Sequence, residues 1–247
     1  MKTTMKKLHI ALVFAALTMA ACGGPPQLPQ PDDTIKSRQN EPGDSALYGL
    51  ACDGSTDSVL VLLPFTGGDP DTLDIIRARE EHRIYGRPRI GDEMAVLFVS
   101  DSTRDSTREV LMAVNVSMLQ GDWCYQAIPV LRHRPNRPDG QPARPLPDSI
   151  LKRITAPLEY SLRLKHDGSA RTSGLPRQQT SDERRPVDYP PLKRYAHWKL
   201  FNGNLILIPD TISQQAPDTA VIERLRRDTL VLRFSDKEQG YYRKIKK

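Results

Sequence analysis

Only three cysteines stand in this 247-residue chain, and no two of them form a C-x-x-C pair. That scarcity excludes a disulfide-dense scaffold and a zinc ribbon. Catalytic signatures are missing too: His82, His133, His166 and His197 are scattered, and there is no H-E-x-x-H, no G-x-S-x-G elbow and no phosphate-cradling glycine loop. The neighbouring Glu80 and Glu81 point apart on a strand and share no face of a helix, so they make no acid–base pair. Asp69, Asp71 and Asp74 lack the glycine and bidentate glutamate of a calcium loop. The expectation is therefore a protein that is no enzyme and carries no metal or cofactor. No long run of lysines and arginines is interleaved with aromatics, so no nucleic-acid partner is expected.

Long apolar runs are also few. The one near the start, Ile10 to Ala21, follows Lys2, Lys6 and Lys7 and is shorter than the roughly 20 residues needed to cross a bilayer. It reads as a signal peptide over residues 1–21. Small residues precede Cys22, and Met19-Ala20-Ala21-Cys22 resembles the lipobox of bacterial lipoproteins, with Met19 where leucine is commoner. The resemblance implies that Cys22 receives diacylglycerol and palmitate and becomes the first residue of a protein anchored in the cell envelope by its lipid. With Gly23 next and no acidic cluster behind it, the outer membrane is the expected address, on its periplasmic side or surface. Residues 22–44 carry Pro25, Pro26, Pro29, Pro31 and Pro42 with few apolar side chains, the composition of a disordered tether. Losing the three leader lysines lowers the formal charge of +6 by three. A partner argument from charge alone is then weak.

About 200 residues remain, enough for one large or two small domains. They read as strands. In residues 45–117 the segments SALYGLACD, SVLVLLP, DTLDIIRA, EMAVLFVS and EVLMAVNV are each bounded by turn formers, as in a small barrel of the OB or SH3-like kind. Residues 71–82 suit a helix as well, since Leu73, Ile76 and Arg77 fall at helical spacing.

The second half, 118–247, is more regular. Tyr160, Leu162 and Leu164 alternate with Ser161, Arg163 and Lys165, the period of a half-buried strand. Asp167-Gly168 and Asn202-Gly203 supply hairpin turns, the second being the strongest short-range hairpin signal available. Arg227-Asp228 breaks a further pair. Eight strands follow from these signals, at 122–130, 157–165, 169–174, 194–201, 204–209, 219–226, 229–235 and 240–246, and short turns between neighbours predict an up-and-down barrel. The fold class expected is all-β throughout.

Gly121-Asp122-Trp123 looks like the G-x-W signature that opens the first strand of lipocalins. The series running through the Asp-Gly turn, Trp198, the Asn-Gly turn and the closing DTLVL strand is similar to the lipocalin-like domains of Bacteroidetes lipoproteins, which often carry a small β-domain in front. The resemblance implies an envelope lipoprotein whose barrel binds a small apolar or amphipathic ligand, with Trp123 at the barrel base and Tyr160 and Trp198 as cavity-lining candidates. The alternative is a non-enzymatic structural or interaction module that binds an envelope protein or polysaccharide. The basic, proline-rich loop at 132–147, where lipocalins place the loop over the barrel mouth, forms with 177–186 either a cationic rim suited to an anionic lipid or glycan phosphate or merely solvated surface.

Two modifications are in question. Cys52 and Cys124 can bridge in an exported protein or remain two free thiols, and spacing decides neither. The recurring Asp-Ser/Thr pairs resemble the acceptor motif for general O-glycosylation in Bacteroidetes, with Thr34, Ser102 and Ser106 the most accessible. The same pairs are also ordinary starters of strands, the reading preferred for Thr229.

Overall fold

Short apolar segments separated by turn residues produce strands almost everywhere in the computed structural model, which describes residues 41–99, 108–132, 140–141, 145–174, 187–210 and 215–244. The protein is all-β. Its first part comprises β1 (Leu47–Ala51), β2 (Val59–Pro64), β3 (Asp71–Asp74), helix α1 (Ile76–Glu80), β4 (Ile84–Tyr85), β5 (Glu93–Phe98) and β6 (Val110–Asn115). The segment that suited both helix and strand is both: β3 ends at Asp74, whose carboxylate accepts from the Ile76 backbone N–H at 2.9 Å as α1 begins.

These six strands form one sheet in the order β3-β2-β1-β5-β6-β4, with β4 parallel to β6 and the rest antiparallel. A parallel bridge from Asp74 to Glu109 draws the β3 edge back toward the start of β6. The continuous apolar run EMAVLF has a direct cause: β5 is buried on both faces. Met94 and Val96 face a core shared with Leu60, Leu62, Leu73 and Ala78, whereas Ala95 faces the opposite way, into the core of the second sheet. Ala113 and Val114 of β6 divide in the same manner.

A single turn of helix, α2 (Val116–Leu119), leads into the second part. There follow β7 (Gly121–Ala127), β8 (Val130–Leu131), α3 (Asp148–Ile154), β9 (Leu158–Leu164), β10 (Ala170–Ser173), β11 (Val187–Asp188), β12 (Tyr195–Phe201), β13 (Asn204–Pro209), β14 (Asp218–Leu225), β15 (Thr229–Arg233) and β16 (Glu238–Arg243). Eight of these strands make an antiparallel sheet in the order β10-β9-β7-β16-β15-β14-β13-β12. Sequence neighbours are sheet neighbours, and β16 returns to pair with β7. The remaining seam closes where Ser169 bridges His197 and the Trp198 backbone N–H donates to the Gly168 carbonyl at 2.8 Å. The result is a nearly closed up-and-down barrel.

The expected strand at 122–130 is shorter than that. After Ala127 the chain leaves the barrel, and β8 pairs instead with β11 in a two-stranded ribbon. Among the described residues no helix is long and apolar enough to cross a membrane.

The first sheet lies against the end of the barrel where β7 begins, and both sheets belong to one compact unit. Tyr48, Ala95, Val114 and Leu119 join Trp123, Leu164, Leu200, Leu205 and Leu230 in a single cluster. The Asn202-Gly203 turn is part of this seam. Both residues take positive φ, 47° and 76°, as a primed hairpin turn requires. Gly203 also approaches so closely that an added Cβ would sit 2.8 Å from the end of Met112. Asn202 accepts from the Ser45 N–H at 2.9 Å, and Asp44 accepts from the Asn202 N–H at 3.0 Å and the Tyr48 hydroxyl at 2.8 Å.

Candidate functional site

The barrel interior comes first, because that is where the sequence expectation placed a ligand. Trp123 is fully buried at the base, its indole N–H donating to the Leu119 carbonyl at 2.7 Å. The Arg243 guanidinium lies 4.2 Å from its ring centroid and donates to the backbone carbonyls of Gln120 at 2.9 Å and Arg227 at 2.7 Å. Cation, ring and helix end thus plug the base. Leu162, Leu205, Leu207, Ile222, Leu230 and Leu232 fill the space above.

The two cavity-lining candidates are core residues. Trp198 donates its indole N–H to the Lys165 carbonyl at 2.8 Å, and the Tyr160 hydroxyl donates to the Pro190 carbonyl at 3.0 Å. Both side chains are buried. Tyr125 packs edge-on against Tyr160 and Tyr241, with ring centroids 5.5 and 5.3 Å apart. The Tyr195 hydroxyl donates to Asp218 at 2.6 Å. At this mouth a cavity of about 40 Å³ remains, lined by Tyr125, Tyr195, Phe234 and Tyr241 among others, but by neither Tyr160 nor Trp198.

These buried phenols fix an alkaline limit. Burial pushes Tyr125 up to about 12 and holds Tyr241 higher still, while Tyr195 and Tyr48 are raised by burial and by their bonds to Asp218 and Asp44. An unfolded tyrosine titrates near pH ~10, so the folded form retains protons that the unfolded form has lost. Stability from these groups is whole below about pH 10 and falls as pH rises toward and past about 12. A spectrophotometric titration followed in parallel by circular dichroism should show phenolate absorbance rising late and together with cooperative unfolding. Smooth release of all eight tyrosines near pH ~10, with the fold intact, would contradict the burial.

The large concavity lies elsewhere, outside the barrel and along its seam with the first sheet. It holds about 1040 Å³ and is lined by the turn before β2 (Ser55–Ser58), by Arg79 of α1, by His82, by Ile84 to Pro88, by Glu223 to Leu225 of β14 and by Arg226 just after it. Gly86 makes the seam tight: at φ 82°, its missing Cβ would lie 2.8 Å from Asn115 and 3.3 Å from Leu225. Asn115 holds the same loop, donating to the Arg87 carbonyl at 3.2 Å and to Asp92 at 2.7 Å, while its carbonyl oxygen caps α2 by accepting from the Met118 N–H at 2.7 Å. A register shift between Ile222 and Arg224 makes Glu223 and Arg224 both exposed in succession. Bulges of this kind re-aim side chains.

The charges of the groove are unequal. Arg79 pairs with Asp57 at 2.5 Å, Arg87 reaches the same carboxylate at 4.0 Å, and Glu223 pairs with Arg233 outside the groove. The Arg79 guanidinium holds the Asp57 carboxyl below the usual range. Among the described residues Arg224 and Arg226 form no ion pair, so positive charge is in excess. Tyr85 stands half-buried between them and the loop, its hydroxyl raised by burial and by Glu223.

No family model, curated relative or solved structure matches the chain. The remaining expectations meet the coordinates as follows. Cys52 and Cys124 are both free, the second of the two alternatives left open by their spacing: Cys52 follows β1 of the first sheet, whereas Cys124 is buried within β7, beside Ser161 and Tyr242 of the neighbouring strands. Burial raises the Cys124 thiol. Cys22, Thr34, Ser102 and Ser106 lie outside the described residues, as do residues 177–186 and most of 132–147. Several described Asp-Ser/Thr pairs begin elements: Asp71-Thr72 starts β3, Asp148-Ser149 starts α3, Asp218-Thr219 starts β14 and Thr229 starts β15. Among the described residues no group of three His, Cys, Asp or Glu side chains is placed to hold a metal. The groove itself was invisible to sequence reasoning, though two arginine-rich stretches, RPR at 87–89 and RLRR at 224–227, carried part of its signal.

Proposed function

We propose that the protein is a non-enzymatic interaction module of the bacterial cell envelope, anchored by lipid on Cys22, that engages its partner through its outer surface. The observation that supports this reading is the filled barrel. Its mouth leaves about 40 Å³, room for a water or so, against the ~300–1,000 Å³ of pockets that hold small ligands. An eight-stranded barrel has an interior that side chains alone can fill. The exposed apolar trio Ile128, Val130 and Leu131, where the chain leaves the barrel, also fits a surface built for contact.

The second reading keeps a small lipophilic ligand inside the lipocalin-like barrel. It is favoured by the aromatic ring at the mouth, where Tyr125, Phe234 and Tyr241 surround what space there is. Fluorescence titration with the neutral probe N-phenyl-1-naphthylamine, joined to native mass spectrometry of protein purified from its own envelope, separates the two. The module reading expects no saturable probe uptake and only the mass of the protein. A saturable site or a co-purifying lipid would restore the ligand carrier.

A further inference from the structure

We infer that the groove between the two sheets binds an anionic polysaccharide. The inference rests on the reading that the outer surface is the working part, and it names that surface's site and ligand class. Four arginines from three separate segments converge on the groove: Arg79 from α1, Arg87 from the loop after β4, and Arg224 near the end of β14 with Arg226 just beyond it. Its two acidic residues are neutralised within the protein, Asp57 by Arg79 and Glu223 by Arg233. Arg224 and Arg226 are therefore available for an external carboxylate, sulfate or phosphodiester, for which the guanidinium fork is the suited donor.

Shape argues for an extended chain. Beyond the Arg79–Asp57 pair the depression continues into a second hollow of about 430 Å³, lined by Asp57, Ser58, Ile76, Arg79 and Glu80. The two hollows share Asp57, Ser58 and Arg79, so a polymer lying along them would cross that pair. Tyr85 offers a half-buried aromatic beside the cations, as sugar rings require for stacking. An acidic peptide is served less well. The edge strand at the groove, β4, is two residues long, too short to template an added strand in the manner of peptide-binding sheet edges, and β14, the other strand there, lies inside the barrel sheet between β13 and β15. Two local features hold the cations in place: Asn115 tethers the Arg87 loop, and the β14 bulge turns Arg224 outward.

Isothermal titration calorimetry in low-salt buffer tests this with oligogalacturonate, uncharged dextran fragments of equal length, and poly-L-glutamate. Saturable binding of oligogalacturonate is expected, with none of dextran, and with weakening by added salt because the contacts are exposed charges. Arg224→Glu and Arg226→Glu should each weaken it about tenfold or more, with circular dichroism unchanged because both side chains are exposed. Tyr85→Ala should weaken it as well. Arg171→Glu, on the exposed side of β10, should leave it unaltered. Lack of oligogalacturonate binding would overturn the inference. So would equal weakening by Arg171→Glu, which would mean diffuse charge attraction, or poly-L-glutamate binding as tightly through the same arginines. The barrel experiment reads independently: probe uptake with intact groove binding removes the filled-barrel reading alone, whereas a dry barrel with no groove binding removes the polysaccharide alone.

Discussion

Trp123→Ala should lower the unfolding free energy by about 3–5 kcal/mol, a large share of the ~5–15 kcal/mol that holds a typical domain together. The side chain is fully buried at the junction of barrel, α2 and first sheet. Its removal opens a cavity bounded by elements that cannot collapse independently, since each is fixed by its own ladder. It also strands the Leu119 carbonyl, which accepts the indole N–H at 2.7 Å, and takes the ring away from Arg243. Trp123→Phe should cost less, because a ring remains beneath the guanidinium. Urea unfolding of the three proteins gives the comparison. A loss under about 1 kcal/mol for the alanine variant, far below the usual cost of such a truncation, would mean that the base is not organised around this side chain.

The second large effect belongs to Asn115, a buried polar residue where the buried side chains among the described residues are nearly all apolar. Asn115→Leu keeps the number and branching of side-chain heavy atoms but removes one acceptor and two donated bonds at once. A lost helix cap costs about 1 kcal/mol, and the Arg87 carbonyl and Asp92 carboxylate, on residues that water can still reach, each add about 1 kcal/mol, the low end for a group left unsatisfied, so a total of about 3 kcal/mol is expected. Asn115→Asp retains the capping acceptor but sets a second carboxylate against Asp92, and should also destabilise. Hydrogen exchange across residues 86–92 should accelerate in both variants, because the loop loses its tether. Unchanged exchange there would show that the Arg87 loop is held by something else.

How much of this was legible depends on how local each signal is. The alternation in LEYSLRL put Tyr160, Leu162 and Leu164 on one face, and they are the buried residues of β9. Asn-Gly and Asp-Gly turns require only their own backbone, and both hairpins fall where the dipeptides stand. Eight barrel strands followed, and the all-β class with them. The first half was harder because β5 and β6 are buried on both faces, which erases the alternation that marks a strand. Residues 71–82 divide between strand and helix within a few positions, below the length over which either period can be recognised. The groove is least local of all. Ser55–Ser58, Arg79, Tyr85, Arg87 and Arg224–Arg226 meet only because Gly86 lets two sheets touch. For the same reason the pairing of Arg243 with Trp123, and the separation of Cys52 from Cys124, could not be read from spacing.

The return of β16 to β7 also sets an order of events. On this side the strand that begins the barrel must wait for β16, which follows every other barrel strand, and the guanidinium that covers Trp123 arrives with it. Until then the barrel end on which Tyr48, Ala95 and Val114 pack is incomplete, with Leu119, Leu200 and Leu205 in hand but Tyr241 of β16 still missing from the cluster. Pairings so distant in sequence make closure slow compared with the hairpins between. During its synthesis the chain therefore passes through an open stage, whose exposed apolar edge has to be kept from other chains before β16 pairs with β7.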